Sequence, residues 1–477
     1  MVLSREGLLC FVDHMGSIPV YTTTLVGSRG DWCIGTQLVD VARVAGRGRV
    51  DETSIREFAE RGAITSPHTA YEDVQRMWPG RILELPPGDA GMPANLEGHS
   101  YWRPTRNGSI TTDELGDVAD ATRDAMVENL DWLLGHHPRT TIMFSGGEDS
   151  RVIGALASER VPEDGELKAV IFLDALNREY RLADLAARRL SLPLAIRYRA
   201  PDHYTRALTE LVEDVGPGVD LAHAHSSGLC ENLEVDLFLD GFGADILLKA
   251  AYLRQRQRSY RGVALGLARA RTDAGFADPE LDSAVADRVA RKAALIESMR
   301  PAEDLSSWLE IWPLSDKPAY GFLASNRARL RSASPFLMGN VAQCVSVVPE
   351  VQKLNRVFFH RAFGHAMGRS GWVPRSEGQI PRLGPRANLL PAAAVGAAFA
   401  LHHKVRGHRP GAPSPGPWQT AEVRTRAALT QLAVLPRDAV DRAQELAGYT
   451  VKQDSHPSRV LRVAQIAVAL DRALLTV

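Results

Sequence analysis

Between residues 140 and 241, short β-branched and apolar runs alternate with segments of helical period, a rhythm that few architectures accommodate. The strand-like runs are TTIMF (140–144), LKAVIFLD (167–174), LAIRYR (194–199) and VDLFLDG (235–241), with RVIGALASER and EYRLADLAARRL between the first three as helices. A strand that returns through a helix pairs in parallel with the strand before it. The spacing therefore predicts an α/β fold with a doubly wound parallel sheet and helices on both faces. Upstream, 113–134 has helical spacing and is expected to stop at Gly135, which tolerates the left-handed conformation of a helix end. From about Leu247 onward the period is mostly helical, with a Gly/Pro-rich loop near 403–418.

The first hundred residues read differently. Short alternating runs (LLCFVD, IPVYTTTLV, DWCIGTQ, RILELPPG) separated by Gly, Pro and Asp predict strands, with one helix over about Thr53–Arg61 behind Asp51. The 477 residues are thus expected to divide into a β-rich unit of 1–110 and an α/β unit of 111–477 whose carboxy-terminal half is helical. A formal charge of -1 supplies no field toward nucleic acid or an anionic membrane, and neither is expected as a partner. Cys10, Cys33, Cys230 and Cys344 form no CxxC pair, which points to a reducing cytoplasm rather than a disulfide framework. The amino-terminal apolar run is too short for a signal segment. The run Leu389–Leu401, broken by Pro391, falls short of the roughly 20 residues of a membrane span and reads as a buried helix.

The densest chemistry lies where the first of the alternating strands hands over to its helix, at Ser145-Gly146-Gly147-Glu148-Asp149-Ser150. Strand ends of an open parallel sheet are where phosphates bind. Two glycines let the backbone approach an anion, Ser145 and Ser150 add hydroxyls, and the free N–H groups of the helix complete a cradle. Asp149 would be repelled by phosphates unless a cation bridges them, which points to Mg2+. The same residues also suit ordinary helix capping.

This loop resembles the SGGxDS pyrophosphate-binding loop of the ATP pyrophosphatase superfamily, and further segments resemble its asparagine synthetase-like branch. Asp240-Gly241-Phe242-Gly243-Ala244-Asp245 is similar to the family's second glycine-rich turn, Ser334-Pro335-Phe336-Leu337 to its Pro-Phe-Leu segment, and Val373-Pro374 to its later Leu-Pro. Asp13–Tyr21, Trp78-Pro79-Gly80 and Tyr101-Trp102 resemble the back half of the family's amidotransferase domain. The resemblance spans roughly residues 10–390. It implies ATP and Mg2+ as cofactors, attack of a substrate carboxylate on the α-phosphorus, release of pyrophosphate, and transfer of the acyl group to an amine. On that reading Ser145, Gly146, Gly147 and Ser150 hold pyrophosphate, and Gly241 and Gly243 also bind the cofactor. Asp149 and Asp245 share Mg2+, and backbone groups around Met143, Ile171, Phe172 and Leu173 read the adenine.

Three departures narrow the expectation. Position 2 is Val2 where the family's full amidotransferase domain has its catalytic cysteine, so glutamine hydrolysis is not expected and the amine comes from ammonia or from a substrate, as in lactam-forming and macrocyclising relatives. Between the glycines of the second turn, asparagine synthetases carry Glu and lactam-forming relatives Tyr; here Phe242 cannot move a proton, leaving Asp240 and Glu377 as candidate bases. Only seven of 56 Lys and Arg residues are lysines, none of them between Lys353 and Lys404. Arg375, Arg382 and Arg386, or Lys249, are therefore the candidates for the role of the family's lysine. The family's Asp after Pro-Phe-Leu is Met338 here. His223-Ala224-His225 with Cys230 matches no common metal spacing, and the arginines of 327–331 read as a solvated helix face.

The expectation is a cytoplasmic, glutamine-independent ligase that joins a carboxylate to an amine, small molecule or peptide, in specialised-metabolite or macrolactam biosynthesis. A partner enzyme, carrier or leader protein is a further expectation. Two rival readings stand beside it: an ATP pyrophosphatase enzyme of thiol or nitrogen transfer, and a non-catalytic homologue that binds a substrate or partner.

Overall fold

The computed structural model describes residues 2–4, 7–25, 32–46, 48–85, 98–106, 110–227, 234–250, 279–375, 378–383, 387–388, 421–452 and 455–475. The sites named above at Cys230, Glu377 and Arg386, the 403–418 loop and the expected helix at 389–401 lie outside these residues.

Seven short strands come first: β1 (Val2–Ser4), β2 (Gly7–Phe11), β3 (Tyr21–Thr24), β4 (Trp32–Gly35), β5 (Gln75–Arg76), β6 (Arg81–Leu85) and β7 (His99–Ser100). They form two antiparallel sheets, β1-β2-β6-β7 and β4-β3-β5. Between them lie α1 (Leu38–Val44) and α2 (Glu52–Arg61). Asp51 caps α2 by accepting from Ser54 N at 3.0 Å, and Gly62 closes it at φ 75°. The long helix α3 (Thr112–His136) opens with a capping box between Thr111 and Glu114. It does not stop at Gly135 as expected, because the helix end is closed another way. The rings of His136 and His137 meet the carbonyls of Trp132 and Leu133 at 2.7 and 2.8 Å, so terminal acceptors are satisfied without a left-handed turn.

Past α3 the expected alternation is present: β8 (Arg139–Met143), α4 (Glu148–Ser158), β9 (Glu166–Leu173), α5 (Arg178–Arg189), β10 (Leu194–Tyr198), α6 (His203–Val215), β11 (Leu237–Leu239), α7 (Ala244–Leu247) and β12 (Ser332–Ala333). The five strands form one sheet in the order β10-β9-β8-β11-β12, every pair parallel. In chain order that is 3-2-1-4-5, so the winding reverses between β8 and β11. Such a switch point leaves a crevice at the strands' carboxyl ends, and both glycine-rich loops open into it. Among the described residues no helix is long and apolar enough to cross a membrane.

One continuous core joins the two parts of the chain. Met15, Tyr21, Ile55 and Phe58 belong to the same buried cluster as Ile142, Phe144, Phe172 and Phe238, while Cys10, Val12, Val20, Met77, Leu83 and Leu85 form a satellite core between the small sheets. The junction is also polar: buried Asp316 accepts from Arg76 at 2.9 Å, Lys292 at 2.8 Å and Ser66 Oγ at 2.6 Å. A buried carboxylate with this many donors is stable only if all are present, so the two parts hold each other in register.

Candidate active site

The loop after β8 turns on Gly146, whose φ is +72° and whose missing Cβ would come within 2.8 Å of Ala183 Cα in α5. Only glycine combines that conformation with that approach. Ser145 Oγ accepts from Gly147 N at 3.3 Å and Ser150 Oγ donates to Gly147 O at 3.1 Å, so both hydroxyls shape the turn. From β11, the second loop packs directly on the first. A Cβ on Gly241 would stand 2.8 Å from Asp149 Cβ, and one on Gly243 (φ +101°) would meet Leu337 at 2.6 Å. The Pro-Phe-Leu segment thus buttresses the second loop, and Ser334 Oγ donates to Asp240 at 2.7 Å from the same segment.

This packing brings Asp149 and Asp245 to one cation, which is Lys249. Its Nζ touches Asp149 Oδ1, lies 3.0 Å from Asp245 Oδ1 and 3.6 Å from Glu148 Oε2, and sits 4.4 Å from the centre of the Phe359 ring. Burial works against the ammonium, but the charges of Asp149, Asp245 and Glu148 hold its pKa above the ordinary value. Asp149 is pushed up to about 6, chiefly by burial and also by Asp245 and Glu148, against the pull of Lys249. Asp245, with its side chain 63% exposed, is held below the usual range: Lys249, Arg356 and Arg375 outweigh desolvation. Glu148 goes well below that range. Burial opposes ionisation there, but the nearness of His360 and the charges of Lys249, Arg375 and Arg356 win.

The residues fit a divalent cation in part. A cation already bridges the two carboxylates as the lysine ammonium, so Asp149 and Asp245 are near enough to share one. Among the described residues no group of three or more His, Cys, Asp or Glu side chains is placed to hold a metal alone. Mg2+ would take Asp149 and Asp245 as ligands and complete its shell with phosphate oxygens and water, its common habit.

The other expected residues divide. Arg375 reaches the site, 3.3 Å from Glu148 Oε2. Arg382 instead donates to the carbonyls of Gly364 and His365 at 3.3 and 3.1 Å. Ile171, Phe172 and Leu173 are fully buried, and β9 extends past the last residue paired with β8, Val170 opposite Met143, so these three pair with β10 alone. Asp240 lies beneath the second loop, 1% exposed, its Oδ1 accepting from Phe242 N at 2.9 Å as well as from Ser334. Phe242 stacks on Phe322 with ring centres 5.7 Å apart. Sequence reading passed over Glu148, Arg151, Arg356, His360 and Gln379. The spacing of Arg356 and His360, one helical turn apart, was the only local signal for any of them.

Asp240 carries a pH prediction. Burial pushes its pKa up to about 6, although Ser334, Phe242 N and Arg327 pull it down. Its folded form therefore binds a proton more tightly than the unfolded chain. That contribution is complete below the unfolded pKa near 4 and is lost, by about 3 kcal/mol, as pH rises through about 6. Asp240→Asn is expected to flatten this decline, read as Tm against pH between about 4 and 6; an unchanged slope would assign the titration elsewhere.

A parallel sheet with paired glycine loops and acidic and basic groups at its switch point belongs to the nucleotide-type α/β enzymes. The asparagine synthase family model matches residues 123–362, half of the chain, and that stretch contains both loops, Lys249 and the Pro-Phe-Leu segment. The chain belongs to the asparagine synthase family, whose members are ATP-dependent carbon–nitrogen ligases that bind ATP, generally with Mg2+. A search of curated proteins found no match.

Proposed function

We propose that the protein is an AMP-forming amide ligase that adenylates a substrate carboxylate and passes the acyl group to an amine without hydrolysing glutamine. The observation that carries this reading is the convergence of Asp149 and Asp245, from two loops, on a single cation position at the switch point. In the proposed reaction the turn at Gly146 and Gly147, with Ser145 and Ser150, receives pyrophosphate on N–H and O–H donors. Asp149 and Asp245 hold Mg2+, which when bound neutralises charge on the leaving group. Lys249 and Arg375 then face the charge that develops on the phosphoryl oxygens. Adenine lies along Ile171–Leu173. Asp240 shapes the second loop rather than acting as the base, since Oδ1 is engaged and the side chain is buried.

Residues 1–110 are proposed to be an amidotransferase-like remnant. Cys10 supports this: it is buried in the satellite core and burial raises its thiol pKa, the reverse of what a nucleophile needs. Products of the lactam, macrolactam or simple amide type and a cytoplasmic setting complete the proposal. One observation favours the rival reading of a non-catalytic homologue, namely that Lys249 already satisfies both aspartates.

Exchange of labelled pyrophosphate into ATP, run with Mg2+ over a panel of amino acids, peptides and small carboxylic acids, separates the two. Exchange that depends on one class of acid is expected. Tight nucleotide binding with no exchange for any acid would establish the binding homologue instead.

A further inference from the structure

Glu148 is not accounted for by phosphate binding, because a buried anion beside a phosphate cradle repels the group the cradle receives. We propose that Glu148 is a positioning residue whose carboxylate gathers Arg356 and Arg375 into a guanidinium fork for a phosphoryl group of the nucleotide. The proposal rests on the ligase reading above. The Glu148 side chain is 2% exposed, and both guanidinium groups face its Oε2, Arg375 Nη1 at 3.3 Å and Arg356 Nε at 3.5 Å. His360 Nε2 stands 3.7 Å from the other oxygen. Oε2 is buried with both guanidinium groups within 3.5 Å, so one carboxylate oxygen draws the two cations together.

Three further features hold the fork. Gln379 Oε1 accepts from both Arg356 Nη1 and Arg375 Nη1, which keeps the two guanidinium groups side by side next to Glu148. Asn355 and Arg356 both have left-handed backbones, φ 55° and 64°, conformations that non-glycine residues hold only where their surroundings impose them. Finally, Arg151, one turn along α4 from Glu148, donates to Gly146 O at 2.8 Å, Ser370 O at 3.0 Å and Pro374 O at 3.1 Å. The first turn of α4 therefore grips both the cradle and the segment that bears Arg375. Guanidinium forks match phosphoryl oxygens bidentately, which suits a site with so few lysines.

The test compares calorimetric binding of adenosine, AMP, inorganic pyrophosphate and Mg·ATP to the full-length chain and its variants. Glu148→Gln is expected to weaken whichever of AMP or pyrophosphate the fork holds by about tenfold, leaving adenosine within about twofold; AMP marks the α-phosphate and pyrophosphate the leaving group. Glu148→Asp should restore part of the loss, and Arg356→Gln added to Glu148→Gln should cost less than it does alone. Unchanged or tighter phosphate binding in Glu148→Gln would overturn the proposal, since Glu148 would then be a competitor of phosphate. Should that variant not fold, Arg356→Gln and Arg375→Gln carry the same comparison, and failure of both to discriminate AMP and pyrophosphate from adenosine overturns it equally. Failure of the ligase reading shows in the unmodified chain alone, as no preference for Mg·ATP over adenosine.

Discussion

Asp149→Asn is expected to lower pyrophosphate release by about a thousandfold while the chain stays folded. The substitution preserves shape and removes only charge, so its effects on chemistry and on folding separate. For chemistry, Asp149 is one of two carboxylates that meet at a single cation, and the other, Asp245, stands open to solvent. A lone exposed carboxylate holds Mg2+ poorly, and the leaving pyrophosphate then departs with its charge unscreened. For folding, the native carboxylate is already disfavoured: burial, with Asp245 and Glu148, pushes its pKa up to about 6. Removing that charge relieves desolvation, and Lys249 keeps Asp245 and Glu148 as partners. Circular dichroism and Tm should therefore match the unmodified chain or exceed it. Activity within tenfold of the unmodified chain would remove the metal-holding role assigned to Asp149.

How much of this was legible in the sequence depends on the range of the interactions involved. The parallel sheet was, because four of its five strands carry apolar runs separated by helical periods; β12 was not, since Ser332–Ala333 is too short to show any period. The first glycine loop was legible because a turn, an acid and a helix start coincide within six residues. Lys249 was half legible: it stands one helical turn from Asp245, but its contact with Asp149 exists only because Gly241 lets the two loops touch. Glu148 was not legible, and Arg356 only as a basic residue one helical turn from His360. Glu148 occupies the variable position of the loop, and the left-handed backbone at Asn355 and Arg356 that aims Arg356 is not announced by that spacing. The expected stop at Gly135 failed for a related reason, since glycine permits a left-handed turn without requiring it, and two histidine rings closed the helix instead.

Lys249→Met tests whether the ammonium and the metal use the same position. Methionine fills the volume over Phe359 but leaves Asp149 without its cation, and a buried carboxylate stripped of its partner typically costs 3–5 kcal/mol, roughly what Tm should reveal here. Mg2+ should then recover much of that loss, because the two carboxylates become free to take it. In the unmodified chain Mg2+ alone should move Tm little, since Lys249 already neutralises both. Turnover should fall about a hundredfold even with Mg2+ in excess, if the ammonium has the proposed role of facing the developing phosphoryl charge. An equal Mg2+ response in both proteins would mean that metal binds elsewhere. Full turnover in Lys249→Met would mean that Arg375 alone replaces the missing lysine. The combination expected, a less stable chain rescued by Mg2+ in Tm but not in rate, requires Lys249 to serve both as counter-ion of the two carboxylates and in turnover.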